Sequence, residues 1–211
     1  MNQYTKINTV YKRDMTHPKK KILIGEFSCP EFEALKNTQW VWSEKVDGTN
    51  IRVIFAGGQI RVAGKADKSS VPPIVVKATE KFTNNYDSIS EFLTRIGKEV
   101  CFYCEGFGGN IQNGKEYMPD GTVDLYLFDV NVDGRWLERS EVTMLAKELG
   151  FIDQHIVGHG TIEEAINFVK AGFKSKFGTA DAEGLVLRPA KELLTTTGER
   201  VITKIKHKDF I

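Results

Sequence analysis

The sequence predicts an α+β fold in which antiparallel sheets carry packed helices, rather than a doubly wound parallel sheet. Three observations lead there. Short runs rich in Trp, Val, Ile and Phe recur at residues 40–46, 50–55, 60–63, 100–105, 124–130, 184–188 and 201–206. Tight glycine turns separate the first three of them. Helical spacing is confined to a few stretches between those runs. With 211 residues, 41% of them apolar, the chain can bury one core, so a single domain over 1–211 is expected, with 1–39 as an extension packed on it.

Element by element, 40–46 and 50–55 read as paired strands joined across Asp47-Gly48, and Ala56-Gly57-Gly58-Gln59 turns into a third strand. Residues 78–96 have helical spacing through Phe82, Ile89, Phe92, Leu93 and Ile96. Strands follow near 100–105 and 124–130, then an Asp133-Gly134 turn leads into Arg135-Trp136-Leu137. Ser140 is expected to cap a helix that faces Val142, Leu145, Ala146 and Leu149 inward and stops at Gly150. Thr161-Ile-Glu-Glu164 is a capping box for a helix ending at Gly172.

Composition narrows the class of function. The balance of 29 Lys and Arg against 28 Asp and Glu, a net charge of +1, neither demands nor excludes a polyanionic partner, because the distribution of lysines matters more than their sum. No apolar run reaches the ~20 residues of a membrane span, and residues 1–6 hold no secretory core. A cytoplasmic protein is expected, without a membrane partner and monomeric. Three cysteines do not make a disulfide framework. Cys101 and Cys104 fall on opposite faces of one strand with no second pair, which favours buried structural thiols over a metal site. His155 and His159 are flanked by glycines and read as loop residues. No Walker loop, Rossmann fingerprint or Ser/His/Asp arrangement is present.

Five segments carry chemistry. In Ser43-Glu-Lys45-Val-Asp47-Gly-Thr-Asn50 a lysine stands before a turn, and extended geometry puts Lys45 and Asp47 on one face. Alone, this fits a surface hairpin with a solvated lysine equally well. Tyr103-Cys-Glu105-Gly-Phe-Gly-Gly-Asn110 ends a strand in a carboxylate and glycines that allow close backbone approach. Leu125-Tyr-Leu-Phe128-Asp129 offers a ring for base stacking or, on its own evidence, a core aromatic. Glu183 precedes the apolar strand Gly184-Leu-Val-Leu187. In Thr203-Lys204-Ile205-Lys206, alternation places both lysines on one face, either for phosphate or for solvent.

Together, in this order, the five resemble the covalent nucleotidyltransferase superfamily of ATP-dependent RNA and DNA ligases and capping enzymes. Lys45-Val-Asp-Gly matches its nucleophile motif, KxDG. The KxDGTN form, the Glu-Gly-Phe-Gly-Gly-Asn-Ile-Gln stretch and the Lys-x-Lys before Asp209-Phe210 look closest to the RNA ligase family. Within it the chain resembles small bacterial and phage proteins related to ligases that seal nicks in duplex RNA. The resemblance covers about 7–210.

It implies an ATP-dependent RNA ligase for RNA repair. Lys45 would take AMP from ATP, Glu44 and Asn50 would help seat the nucleotide, and Asp47 would lie near the α-phosphate. Glu105 would hold the ribose and Phe128 cover the adenine. Glu183 would assist Mg²⁺ or Mn²⁺, and Lys204 and Lys206 would bind the α-phosphate. Gly64-Lys65-Ala66-Asp67 stands where the family usually has a Gly-Arg-Thr-Asp-like segment. Lys65 keeps the charge there without arginine's bidentate fork. A DNA nick ligase and a nucleotide- or RNA-binding module with a degenerate site are the alternatives.

The chemistry asks for these residue types. Deprotonating an ordinary lysine at pH 7 costs about 4.6 kcal/mol, and neighbouring cations lower that cost while neutralising the α-phosphate and leaving pyrophosphate. Only 207–211 follow the Lys-x-Lys motif, so neither the OB-fold domain of capping enzymes nor the helical domain of duplex-RNA ligases is expected. A partner protein would be one source of the absent domain. Lys19, Lys20, Lys21, Lys174, Lys176 and Lys208 are candidates for gripping RNA ends or a nicked duplex, or for solubility alone.

Overall fold

The structure, a computed structural model, describes residues 3–66, 68–83, 86–118 and 120–211. Asp67, and the side chain of Ile89 in the expected helix, lie outside the described residues. The strands in chain order are β1 (Asn8–Thr9), β2 (Tyr11–Arg13), β3 (Ile22–Phe27), β4 (Trp40–Lys45), β5 (Thr49–Ala56), β6 (Gln59–Gly64), β7 (Glu99–Gly108), β8 (Val123–Val132), β9 (Arg135–Trp136), β10 (Ile152–Asp153), β11 (Ile156–Gly160), β12 (Gly184–Pro189) and β13 (Thr203–Lys206). The helices are α1 (Pro30–Ala34), α2 (Pro73–Ala78), α3 (Glu80–Thr83), α4 (Tyr86–Ile96), α5 (Gly114–Tyr117), α6 (Arg139–Leu149) and α7 (Ile162–Ala171). The α+β class holds. The sheets are mainly antiparallel, with parallel pairs only between β1 and β13 and between β8 and β10 among the described residues. No helix among the described residues is long and apolar enough to cross a membrane.

The chain divides into two compact units. One takes Met1–Tyr4, Asp47–Gln154 and Phe177–Ala180. Its sheet runs β10-β8-β7-β5-β6, with β9 also on β8. Alternation in β5 and β7 sends Ile51, Val53 and Phe55, with Val100, Phe102 and Cys104, into a core covered by Val142, Leu145 and Ala146 of α6. Burying each such aliphatic or aromatic side chain contributes roughly 1.5–3 kcal/mol. Cys101 faces the opposite side, and burial pushes its thiol up to about 11. Burial raises Cys104 as well, so both are structural thiols.

The other unit takes Thr5–Val46, His155–Lys176 and Asp181–Ile211. Its sheet runs β1-β13-β12-β4-β11, and β2 and β3 form a separate ribbon. Ile162, Ala165, Ile166 and Val169 recur at helical spacing on α7 and share a core with Trp40, Trp42, Leu185 and Leu187. The Thr161 hydroxyl accepts from the Glu164 N–H at 3.2 Å, while the Glu164 carboxylate accepts from the Thr161 N–H at 2.7 Å. Both arms of the capping box therefore form. The helix ends at Gly172 with φ 74°.

Four expectations change. The segments 40–46 and 50–55 do not form a hairpin: β4 pairs with β11 and β12, whereas β5 pairs with β6 and β7. The Asp47-Gly48 step links two sheets. A Cβ on Gly48 would stand 2.4 Å from the Gly106 carbonyl oxygen, so the glycine is needed for backbone approach rather than for a turn. Helix 78–96 is divided into α3 and α4 after a separate α2. The N-cap of α6 is Glu138, two residues before Ser140, and its N–H donates to the Glu141 carboxylate at 2.7 Å. His159 lies in edge strand β11 opposite Val41, not in a loop.

Candidate active site

In the unit built on the five-stranded sheet, register collects the basic residues. Gly184 pairs with both Lys45 and Lys206, and Val186 pairs with both Ser43 and Lys204. Cross-strand partners share a face, so Lys45, Lys204 and Lys206 stand together while Trp42, Leu185, Leu187, Thr203 and Ile205 face the core. Glu183, directly before β12, completes the cluster. One carboxylate oxygen accepts from Lys45 Nζ, and the other accepts from Lys206 Nζ at 2.5 Å. Gly184 makes this possible. Its φ is 151°, and a Cβ would lie 2.0 Å from the Ile205 carbonyl oxygen, so only glycine lets Glu183 stand beside Lys206.

Electrostatics follow from that crowding. Burial pushes the Glu183 carboxyl up, but Lys45 and Lys206 more than offset it and leave it below its ordinary value. Lys204 has no ion-pair partner at such distances among the described residues. Burial first, then the charges of Lys206 and Lys45, bring it down to about 8 despite the opposing pull of Glu183. Glu44, expected beside the nucleotide, points to the core face of β4. Its carboxylate accepts from the Ser175 hydroxyl and from the Lys176 N–H at 3.1 Å, anchoring the segment after α7.

The other unit holds the remaining residues. Asn50 and Glu105 are direct partners between β5 and β7, as are Arg52 and Tyr103. All four lie on the sheet face away from the apolar core. Asn50 Oδ1 is a buried acceptor without a hydrogen-bond partner among the described residues, which is costly unless a ligand donor meets it. The Asp47 N–H donates to the Tyr117 hydroxyl at 3.2 Å. Phe128 is the extra residue of a bulge: Tyr103 opposes Asp129 and Cys104 opposes Leu127. The bulge turns its ring, half-buried, against Tyr4 with centroids 5.0 Å apart. The Tyr4 hydroxyl donates to Asp129 at 2.7 Å. Lys65 is exposed just beyond β6, whose terminal Gly64 carbonyl accepts from buried Arg52 Nε at 3.0 Å.

The structure thus brings together Lys45, Glu183, Lys204 and Lys206 in one unit, and Asn50 and Glu105 in the other. Tyr4, Arg52 and Tyr117 support these residues and lie outside the candidates that the motifs supply. A buried arginine inside a strand is the signal that could have found Arg52.

The family model for RNA ligase matches residues 38–206, most of the chain and every motif residue. The chain belongs to the RNA ligase family. Among solved structures, this RNA ligase family member is similar to an RNA ligase of Naegleria gruberi. The apo form of one variant has a TM-score of 0.64 and 20% identity over 86% of this chain and 53% of that one. Another variant with ATP and Mn has a TM-score of 0.66 and 20% identity over 99% and 59%. A third, with AMP and Mn, has a TM-score of 0.62 and 20% identity over 86% and 53%. The likeness establishes the shared fold, and this chain spans about half the length of those ligases. No match is found among curated proteins.

Proposed function

We propose that this chain is an ATP-dependent RNA ligase that carries AMP on Lys45, passes it to a polynucleotide 5′-phosphate, and joins that end to a 3′-hydroxyl with release of AMP. The observation that carries the reading is Glu183 with one carboxylate oxygen on Lys45 and the other on Lys206, with Lys204 on the same face. A surface lysine needs no such surroundings. A nucleophile that must be held, aimed and later released as a free amine does. The Naegleria structures with ATP or AMP and Mn add support for a nucleotide and a divalent cation.

In the first transfer, Lys45 Nζ forms a bond to the α-phosphorus as the bond to pyrophosphate breaks. The ammonium of Lys45 must first give its proton to water, and a divalent cation drawing on the Glu183 charge would favour the free amine. Lys204 and Lys206 offset charge on the α-phosphate as it develops. Asn50 Oδ1 offers an acceptor to the nucleotide, Glu105 beside it takes the ribose, Phe128 stacks on the adenine, and Asp47 lies near the α-phosphate. Lys65 contacts the incoming 5′-phosphate. Glu44 acts through Ser175 and Lys176, positioning the chain that carries Lys45.

A divalent cation on Glu183 would take the place of one of the two ammonium groups from which its oxygens accept. No cluster of three His, Cys, Asp or Glu forms a cage among the described residues, and Mg²⁺ or Mn²⁺ shared with phosphate oxygens needs only one or two carboxylates. Glu183 would hold it, and when bound it supplies positive charge to the triphosphate.

The test supplies Mg²⁺ with α-labelled ATP or GTP, followed by RNA–RNA, RNA–DNA and DNA–DNA nicks. Label from ATP and joining of RNA 5′-phosphate ends are expected. Label from GTP would indicate capping chemistry, joining of DNA alone a DNA ligase, and no label with either nucleotide a binding module.

A further inference from the structure

The unit built on the five-stranded sheet contains an open cavity of about 810 Å³ formed by the N-terminal residues and the end of β13. Eight lysine and arginine residues line it against a single carboxylate, a surplus of seven positive charges. The carboxylate, Asp209, is engaged by Arg13 at 2.5 Å, so it offsets no lysine. Lys204 and Lys206 form one end of the lining. Lys6, whose charge helps depress Lys204, follows, and Lys12, Lys19 and Lys208 stand exposed farther along, Lys12 only loosely paired with the equally exposed Glu26 at 3.8 Å. The Arg13 guanidinium also holds the Lys20 carbonyl at 3.0 Å, which fixes the loop carrying Lys19.

We propose that this basic groove, running from Lys204 and Lys206 to Lys12, Lys19 and Lys208, is the docking track for the phosphate backbone of the RNA strand. The proposal rests on the ligase reading, and it names where that enzyme grips nucleic acid. The groove's volume exceeds what a triphosphate tail fills, and its charges extend beyond the two lysines that such a tail would need. Tyr11 is its sole aromatic among the described residues, so it suits phosphates rather than stacked bases, and sequence-independent binding follows. Of the other lysines considered for this grip, Lys174 is instead engaged by Asp181 at 2.7 Å.

The experiment compares wild type with Lys12→Ala/Lys19→Ala/Lys208→Ala, a triple change of exposed residues, and with the charge reversal Lys12→Glu/Lys19→Glu. Fluorescence anisotropy measures affinity for a labelled nicked RNA duplex across a salt series, and label from α-labelled ATP measures self-adenylylation. The expected result is at least tenfold weaker RNA binding for the triple variant, more for the reversal, with self-adenylylation unchanged. Its slope of log affinity against log salt should shrink by about 2–3, near 0.9 for each phosphate that no lysine neutralises any longer. Unchanged RNA affinity and slope in both variants would overturn the proposal. Loss of self-adenylylation with RNA affinity intact would also overturn it, assigning the groove to the triphosphate. If wild type never self-adenylylates, the ligase reading fails, while the anisotropy series still decides whether the groove binds RNA.

Discussion

Replacing Glu183 by Gln tests the ion cluster directly. The substitution keeps the shape and removes the charge that two ammonium groups share. A unit charge pair with centres about 3.5 Å apart is worth roughly 5 kcal/mol gross at an effective dielectric of 20, before desolvation and the repulsion between Lys45 and Lys206. Removing one partner of a buried pair costs about 3–5 kcal/mol. Here the Glu183 side chain is 10% exposed and each lysine about 20%, so the lower end applies, about 3 kcal/mol. Urea unfolding followed by the fluorescence of Trp40 and Trp42, both in this unit's core, should show a midpoint lowered by roughly 1 M. The effect also has a pH signature. Because the folded state lowers the Glu183 pKa, its stabilisation is present above the unfolded value and lost as pH falls through the folded one. The variant should therefore lose part of the acid limb of the wild-type stability curve. An unchanged midpoint and an identical acid limb would refute the idea that Glu183 clamps the two lysines.

Other consequences can be checked separately. ATP affinity should fall as pH rises through about 8, where Lys204 loses its charge, and Lys204→Ala should flatten that dependence in a titration. Phe128→Ala should weaken ATP binding by about 1–3 kcal/mol if its ring stacks on adenine, and calorimetry should show no comparable loss for inorganic triphosphate. Gly48→Ala places a Cβ 2.4 Å from the Gly106 oxygen and should destabilise the protein by about 1–3 kcal/mol, read as a lower midpoint of thermal unfolding.

Much of the fold is visible in local pattern because the responsible forces are local. The Thr161 box, Gly150 and Gly172 mark helix ends through backbone geometry, and alternation in 203–206 separates Lys204 and Lys206 from Thr203 and Ile205. What local pattern does not supply is partnership. Asp47-Gly48 looks like a hairpin turn, but β4 takes β11 and β12 as its neighbours and β5 takes β6 and β7. Glu44 sits next to Lys45 in sequence, but alternation puts the two on opposite faces, and Ser175 lies far along the chain. One further signal is legible in hindsight. Leu125 and Leu127 enter the core on odd positions, while Val130 and Val132 enter on even ones. That phase slip marks the bulge at Phe128.

Intact-protein and peptide mass spectrometry after exposure to ATP and Mg²⁺ addresses the nucleophile itself. A single added AMP mapped to Lys45, and absent from Lys45→Arg, is the predicted result. An adduct on another residue, or an equal adduct on the arginine variant, would contradict it.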